Sequence, residues 1–288
     1  MNTATFLIQL LNSVQYGLLL FLLASGLTLI FGIMGVINLA HGSFYMLGAY
    51  LALSLTQFTG NLFLAVLLGM PLAVIFGFLL ERVFFTRLYE RDHLQQVLLT
   101  YGLILVLDEC RSLLWGNDVH SVAVPALFDW SIPLTENLSY PVYRLVVSGI
   151  CLLIAAAMYV VIQRTKLGMM IRAGTSNREM TQALGIDVAL VHGFVFASGV
   201  ALAALAGMIA APISSVFPGM GGQILIITFV VVVIGGIGSL EGAMAAALLI
   251  GLADTFGKVW LPQIAGMAVY LLMGLVLLLR PAGLFGRA

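Results

Sequence analysis

The chain has 288 residues, of which 62% are hydrophobic and 8% charged, and its mean hydropathy is +1.13. That is more apolar surface than a soluble core of this length buries, while apolar runs of about twenty residues, enough for a helix to cross some 30 Å of hydrocarbon, exclude a barrel of ten-residue alternating strands. Twelve basic and twelve acidic residues cancel, and no nucleic-acid partner is expected. The expected fold is all-α: one polytopic transmembrane helical bundle over residues 1–288, in contact with lipid.

Apolar spans run near 6–31, 42–58, 61–82, 94–115, 140–163, 190–213, 223–238, 241–258 and 263–280, so roughly eight to ten crossings are expected. The first residues lack a basic region, and the first span continues through Phe31, too long for a cleavable leader. Three groups of cations follow: Arg82, Arg87 and Arg91; Arg164, Lys166, Arg172 and Arg178; Arg280 and Arg287. Positive charge stays in the cytoplasm, and a path that starts outside and crosses at each span puts all three groups there. The loop near 116–140 holds Asp118, Asp129 and Glu136 without Lys or Arg, and Trp115, Trp130 and Tyr140 suit an interface. It is expected to face the periplasm. The spans at 42–58 and 223–238 are short, as re-entrant or broken helices are, and such helices require protein or water over their backbone.

Two stretches echo each other. Ile30–Gly42 contains Gly32, Gly35, Asn38 and His41, and Val233–Gly242 contains Gly235, Gly236, Gly238 and Glu241. Glycine-interrupted spans in matching positions point to a transport pathway, with Asn38, His41, Gly42, Gly235, Gly236, Gly238 and Glu241 as its lining or gate. Close packing of small residues at a turn accounts for the same pattern, and a histidine at a membrane interface is ordinarily just solvated. Asp108–Arg111 and Asp254–Lys258 have the spacing of structural ion pairs on a helix. Cys110 and Cys151 lie in apolar spans without ligand spacing; inert buried thiols are expected there, and no metal site.

The break after the fifth span carries a compact polar cassette, from Arg172 to Asp187. Ser176 and Glu179 have the spacing of a capping box, and Gly185 suits a helix C-cap. A helix of about two turns is expected here, exposing Arg178, Thr181 and Gln182. So short a helix is unstable alone and must pack on the membrane domain or on a partner.

The segments Lys166-Leu-Gly168-Met-Met-Ile-Arg172-Ala173, Ala183-Leu-Gly185-Ile186-Asp187 and Phe194-Val-Phe-Ala-Ser-Gly199, with Leu27 to Tyr50 and Val233 to Ala243, resemble LivH-type permeases of branched-chain amino acid ABC importers. The resemblance implies a permease that translocates leucine, isoleucine and valine, or related amino acids, across the bacterial inner membrane. It also implies partners: a second homologous permease subunit, two cytoplasmic ATPase subunits and a periplasmic solute-binding protein. A coupling segment at about 164–189 would touch an ATPase subunit through Arg172, Asn177, Arg178, Glu179, Ala183, Gly185 and Ile186. No GxxxxGK[ST] loop is present, so ATP and Mg would be used by the partners, with no cofactor held here and no catalytic residue. Ser43, and the wholly apolar Ile224 to Ile227, depart from the commonest family pattern, which leaves a urea or short-amide permease as an alternative. A passive channel or secondary transporter for a small neutral solute is the other, although ionisable residues fall at span ends and not at the mid-membrane position that ion coupling needs.

Overall fold

The structure is a computed structural model, and the residues it describes are 3–88, 91–135, 138–176 and 178–286. Each of the nine expected spans coincides with a long helix: α1 (Thr3–Met34), α2 (His41–Thr59), α3 (Leu62–Leu80), α4 (His93–Trp115), α5 (Val142–Arg164), α8 (Val188–Ala210), α9 (Met220–Gly235), α10 (Leu240–Trp260) and α11 (Ala265–Leu279). Between α5 and α8 lie α6 (Lys166–Ser176) and α7 (Arg178–Ala183). The chain is a multi-pass membrane protein. Five helices are long and apolar enough to cross a bilayer unaided, namely α1, α3 with the π-helical turn that extends it to Phe85, α5, α8 and α10. The 16 residues of α9 rise only about 24 Å, as a broken span would.

At three helices, α3, α8 and α10, a side chain supplies a missing acceptor at the start. Asn61 accepts from Phe63 N, Asp187 from Leu190 N and Ser239 from Gly242 N, each covering an amide that the first turn leaves unpaired. Packing then sorts the helices. Every residue of α1 from Gly17 to Thr28 is buried, and α8 is buried on nearly all sides, as expected of helices apolar all round. Glycines permit the close approach: a Cβ on Gly26 would lie 2.6 Å from Gly199 O, and one on Gly17 would lie 2.9 Å from Ala247 O. In contrast, α5 buries only Val142, Tyr143, Val147 and Cys151.

α2 begins deep inside the protein. His41 is 0% exposed, and its Nε2 lies 2.9 Å from Leu23 O, about 16 Å along the α1 axis from Met34 at 1.5 Å per residue. Residues 35–40 therefore fold back into the bundle before α2 starts. Protein covers this re-entrant backbone, as the physics of hydrocarbon requires. The solvated reading of His41 is thus overturned, because the return segment buries it against α1.

One face of the bundle gathers the α3–α4 turn, α6, α7, the α9–α10 break and the segment after α11, and with them the described residues of the three basic groups. The opposite face carries the loop at 116–141. That loop holds a β-hairpin, β1 (Ser131–Thr135) against β2 (Leu138–Pro141), which went unforeseen among its prolines. It is fastened at several points. His120 and Val216 exchange two backbone hydrogen bonds of 2.8 Å, Trp115 Nε1 donates to Ser54 Oγ at 2.6 Å, and Arg111 Nη1 donates to Gly116 O at 2.6 Å and Asn117 Oδ1 at 3.0 Å. The ion pairs Asp108–Arg111 (3.2 Å) and Asp254–Lys258 (2.6 Å) form as expected. Of the two thiols, Cys151 is buried but Cys110 is exposed on the outer side of α4, because that helix has few neighbours to cover it.

Candidate functional site

The two glycine-rich breaks meet on the basic face. A Cβ on Gly32 would lie 2.8 Å from the Cα of Gly238, so these backbones touch with no room for a side chain. Beyond α9 the chain turns through Gly236 (φ +95°) and Gly238 (φ +80°), conformations in which L residues clash. Gly235 packs on the start of α10, 2.6 Å separating a built Cβ from Ala243 N.

The segment after α11 returns to brace this break. Leu284 N donates to Ile234 O (2.8 Å) and Phe285 N to Gly235 O (3.1 Å), two carbonyls at the end of α9 that the helix itself leaves open. A Cβ on Gly283 would lie 2.6 Å from Gly236 N. The result is a strap laid across the mouth.

Next to it opens a cavity of about 830 Å³, whose walls include Thr28, Tyr159, Arg172, Gly238, Glu241 and Phe285. It joins α1, α5, α6 and the α9–α10 break. Arg172 Nη1 donates to Ile162 O near the end of α5, so the α6 guanidinium lies on the cavity wall. Sequence spacing brought Gly238 and Glu241 forward but missed Thr28, Tyr159 and Phe285, which carry no local signal of their destination.

The polar segment is longer in helix than expected. α6 starts at Lys166, ten residues before Ser176, because Met170 and Ile171 give it a half-buried apolar face and Gly168 lets it turn closely past Ile162. α7 then ends at Gly185 (φ +83°). Ile186 N donates to Thr181 O (3.3 Å) and Gly185 N to Gln182 O (2.9 Å), the double closure of a left-handed C-cap. Gln182 and Ala183 are exposed, whereas Thr181 is buried at 3% and turns inward from the short helix. On the outer side stand Met180, 60% exposed, and Leu184, 74% exposed. The Ser176–Glu179 capping box, Asn177 and the side chain of Arg178 lie outside the described residues.

The residues brought forward as a gate separate into two places. Gly235, Gly236, Gly238 and Glu241 are at the α9–α10 break, where Gly238 and Glu241 line the cavity. Asn38, His41 and Gly42 sit deeper, where Asn38 Oδ1 accepts from Ala40 N (3.1 Å) and Gly42 presses on Gly221. Since a carbonyl only accepts, the His41 nitrogen facing Leu23 O carries the hydrogen.

Residues 9–280 match the family model described as the branched-chain amino acid transport system permease component. This chain belongs to that family. It is 32% identical over 299 residues to the high-affinity branched-chain amino acid transport system permease protein BraD of Pseudomonas aeruginosa, covering 98% of this chain and 96% of the relative. It is 31% identical over 297 residues to LivH of Escherichia coli K12, with the same coverage. The probable LivH of Methanocaldococcus jannaschii is 26% identical over 96% of this chain and 91% of its own length. No solved structure matches. The permease family match thus takes in both glycine breaks, α6 and α7, and every cavity-lining residue named above except Phe285.

Proposed function

We propose that this chain is a membrane-spanning permease subunit of an ATP-binding-cassette importer for branched-chain amino acids in a bacterial inner membrane. Its basic face is the cytoplasmic one, and its partners are a second related permease, two ATPase subunits and a binding protein that delivers solute from outside. The printed functions of the relatives support the solute class.

The observation that carries the reading is α7. A six-residue helix cannot hold itself, yet this one presents Met180 and Leu184 on the basic face. Apolar residues displayed there suit a partner groove. Closure of two ATPase subunits around ATP would move α6 and α7, and through Arg172 and Gly168 the end of α5. Hydrolysis is assigned to those subunits, while solute passes between two permeases and leaves by the glycine-lined mouth.

The test is purification of the tagged chain from its native membrane in mild detergent. Stoichiometric ATPase subunits, with hydrolysis stimulated by leucine-loaded binding protein, are expected. A chain that came away alone and passed solute in liposomes without ATP would sink the reading in favour of a passive channel.

A further inference from the structure

We propose that the cavity on the inner face is a weak site for a zwitterionic α-amino acid, through which solute accumulated in the cytoplasm slows further import. The inference rests on the importer reading and adds to it a ligand class and a form of regulation.

The cavity, at about 830 Å³, falls within the range of small-molecule sites, about 300–1,000 Å³. Among the described residues its lining carries one formal cation and one formal anion, and these come from different elements: Arg172 from α6 and Glu241 from the first turn of α10. The same wall carries the apolar Leu29, Ile33, Ile162 and Ile237 beside Gln163 and Ser239. Thr28 lies on the same wall, and its hydroxyl is buried with no hydrogen-bond partner among the described residues.

A free neutral α-amino acid presents one carboxylate, one ammonium group and one side chain from a single carbon. That set matches the cavity in sign and in polarity. Acidic and basic amino acids would bring a charge without a counterpart, and urea needs neither Arg172 nor Glu241. Both side chains are exposed to water, which screens their charge and keeps binding weak, as a site next to an exit must be.

Occupancy would reach the ATPase-facing segment directly. Arg172 ties α6 to Ile162 O near the end of α5, and α7 follows α6. A solute that draws Arg172 toward its carboxylate favours one placement of α6 over another, and the two sites are then coupled in both directions.

The experiment uses the complete transporter in proteoliposomes whose lumen stands for the cytoplasm, with ATP inside and labelled leucine on the binding protein outside. Unlabelled leucine trapped in the lumen should slow initial uptake, while urea, leucinamide and 4-methylpentanoate at equal concentration should not, since each lacks one or both charges. In Glu241→Gln the lumenal leucine needed for half inhibition should rise about tenfold, the scale of one lost charge-assisted contact. Each variant is judged against its own rate in solute-free vesicles. Arg172→Lys, which keeps the charge, should retain inhibition that Arg172→Gln loses. Equal inhibition by all four solutes, an unshifted Glu241→Gln, or no inhibition of the wild type would overturn the inference alone. A wild type that does not import leucine with ATP would overturn the importer reading and this inference with it.

Discussion

Gly42 and Gly221 meet backbone against backbone where α2 begins, and a Cβ built on Gly221 would lie 2.8 Å from the carbonyl oxygen of Gly42. Neither helix can retreat, because α2 is also held on α8 through Gly48 and Ala204. Gly42→Val should therefore cost about 1–3 kcal/mol as an overpacked core does. A thermal melt of the detergent-solubilised protein reads this as a lowered midpoint. Gly222→Ala is the control: nothing lies within 4 Å of its added methyl, and it should leave the midpoint unchanged or slightly raised, since alanine favours a helix interior.

Arg111 is 3% exposed, whereas the side chain of its partner Asp108 is 48% exposed. The arginine also holds Gly116 O and Asn117 Oδ1, so the loop after α4 depends more on it than on the aspartate. Arg111→Met should remove these hydrogen bonds to a charged group, at about 1.5–3 kcal/mol, and should open residues 116–130 to protease. Asp108→Asn should lower the melting midpoint by less than half as much. Equal effects would show that the ion pair, and not the loop contacts, is what matters.

At Gly185 the constraint is the backbone alone. Its φ is +83° and an added Cβ meets nothing within 4 Å, so side-chain size is not excluded but handedness is. Asparagine tolerates this conformation and β-branched residues do not. Gly185→Asn should keep most ATP-driven uptake, while Gly185→Val should lower uptake more than it lowers ATP hydrolysis. The ratio of the two rates is the measurement, and a ratio unchanged in Gly185→Val would remove α7 from the coupling route.

The strap gives a fourth expectation. Gly283 combines φ +82° with a built Cβ 2.6 Å from Gly236 N, so Gly283→Val should lift residues 283–285 from the end of α9. Chymotrypsin cleavage beside Phe285 should then quicken several-fold, with the rest of the bundle intact. Cleavage at the wild-type rate would mean that the hydrogen bonds from Leu284 and Phe285 hold the strap without the glycine.

The nine spans could be read from the chain because hydrocarbon demands a long apolar run. Gly185 was equally plain, since a glycine that follows a short polar helix has one common conformational use. Depth was not legible. Small apolar residues surround His41 whether it stands at the interface or against Leu23, and only the fold of residues 35–40 places it. Arg172 shows the same limit: its spacing in the polar segment says that it is near the membrane edge, but the turn at Gly168 decides that it lies on the cavity wall. The hairpin at 131–141 was hidden because prolines at 133 and 141 argue against strands, and only an edge position reconciles them.

The strap also sets an order of maturation. Ile234 and Gly235 enter the bilayer with α9, yet their partners Leu284 and Phe285 leave the ribosome only after α10 and α11 have followed. Until then the inner mouth has its glycines but not its brace, so this part of the permease is finished last.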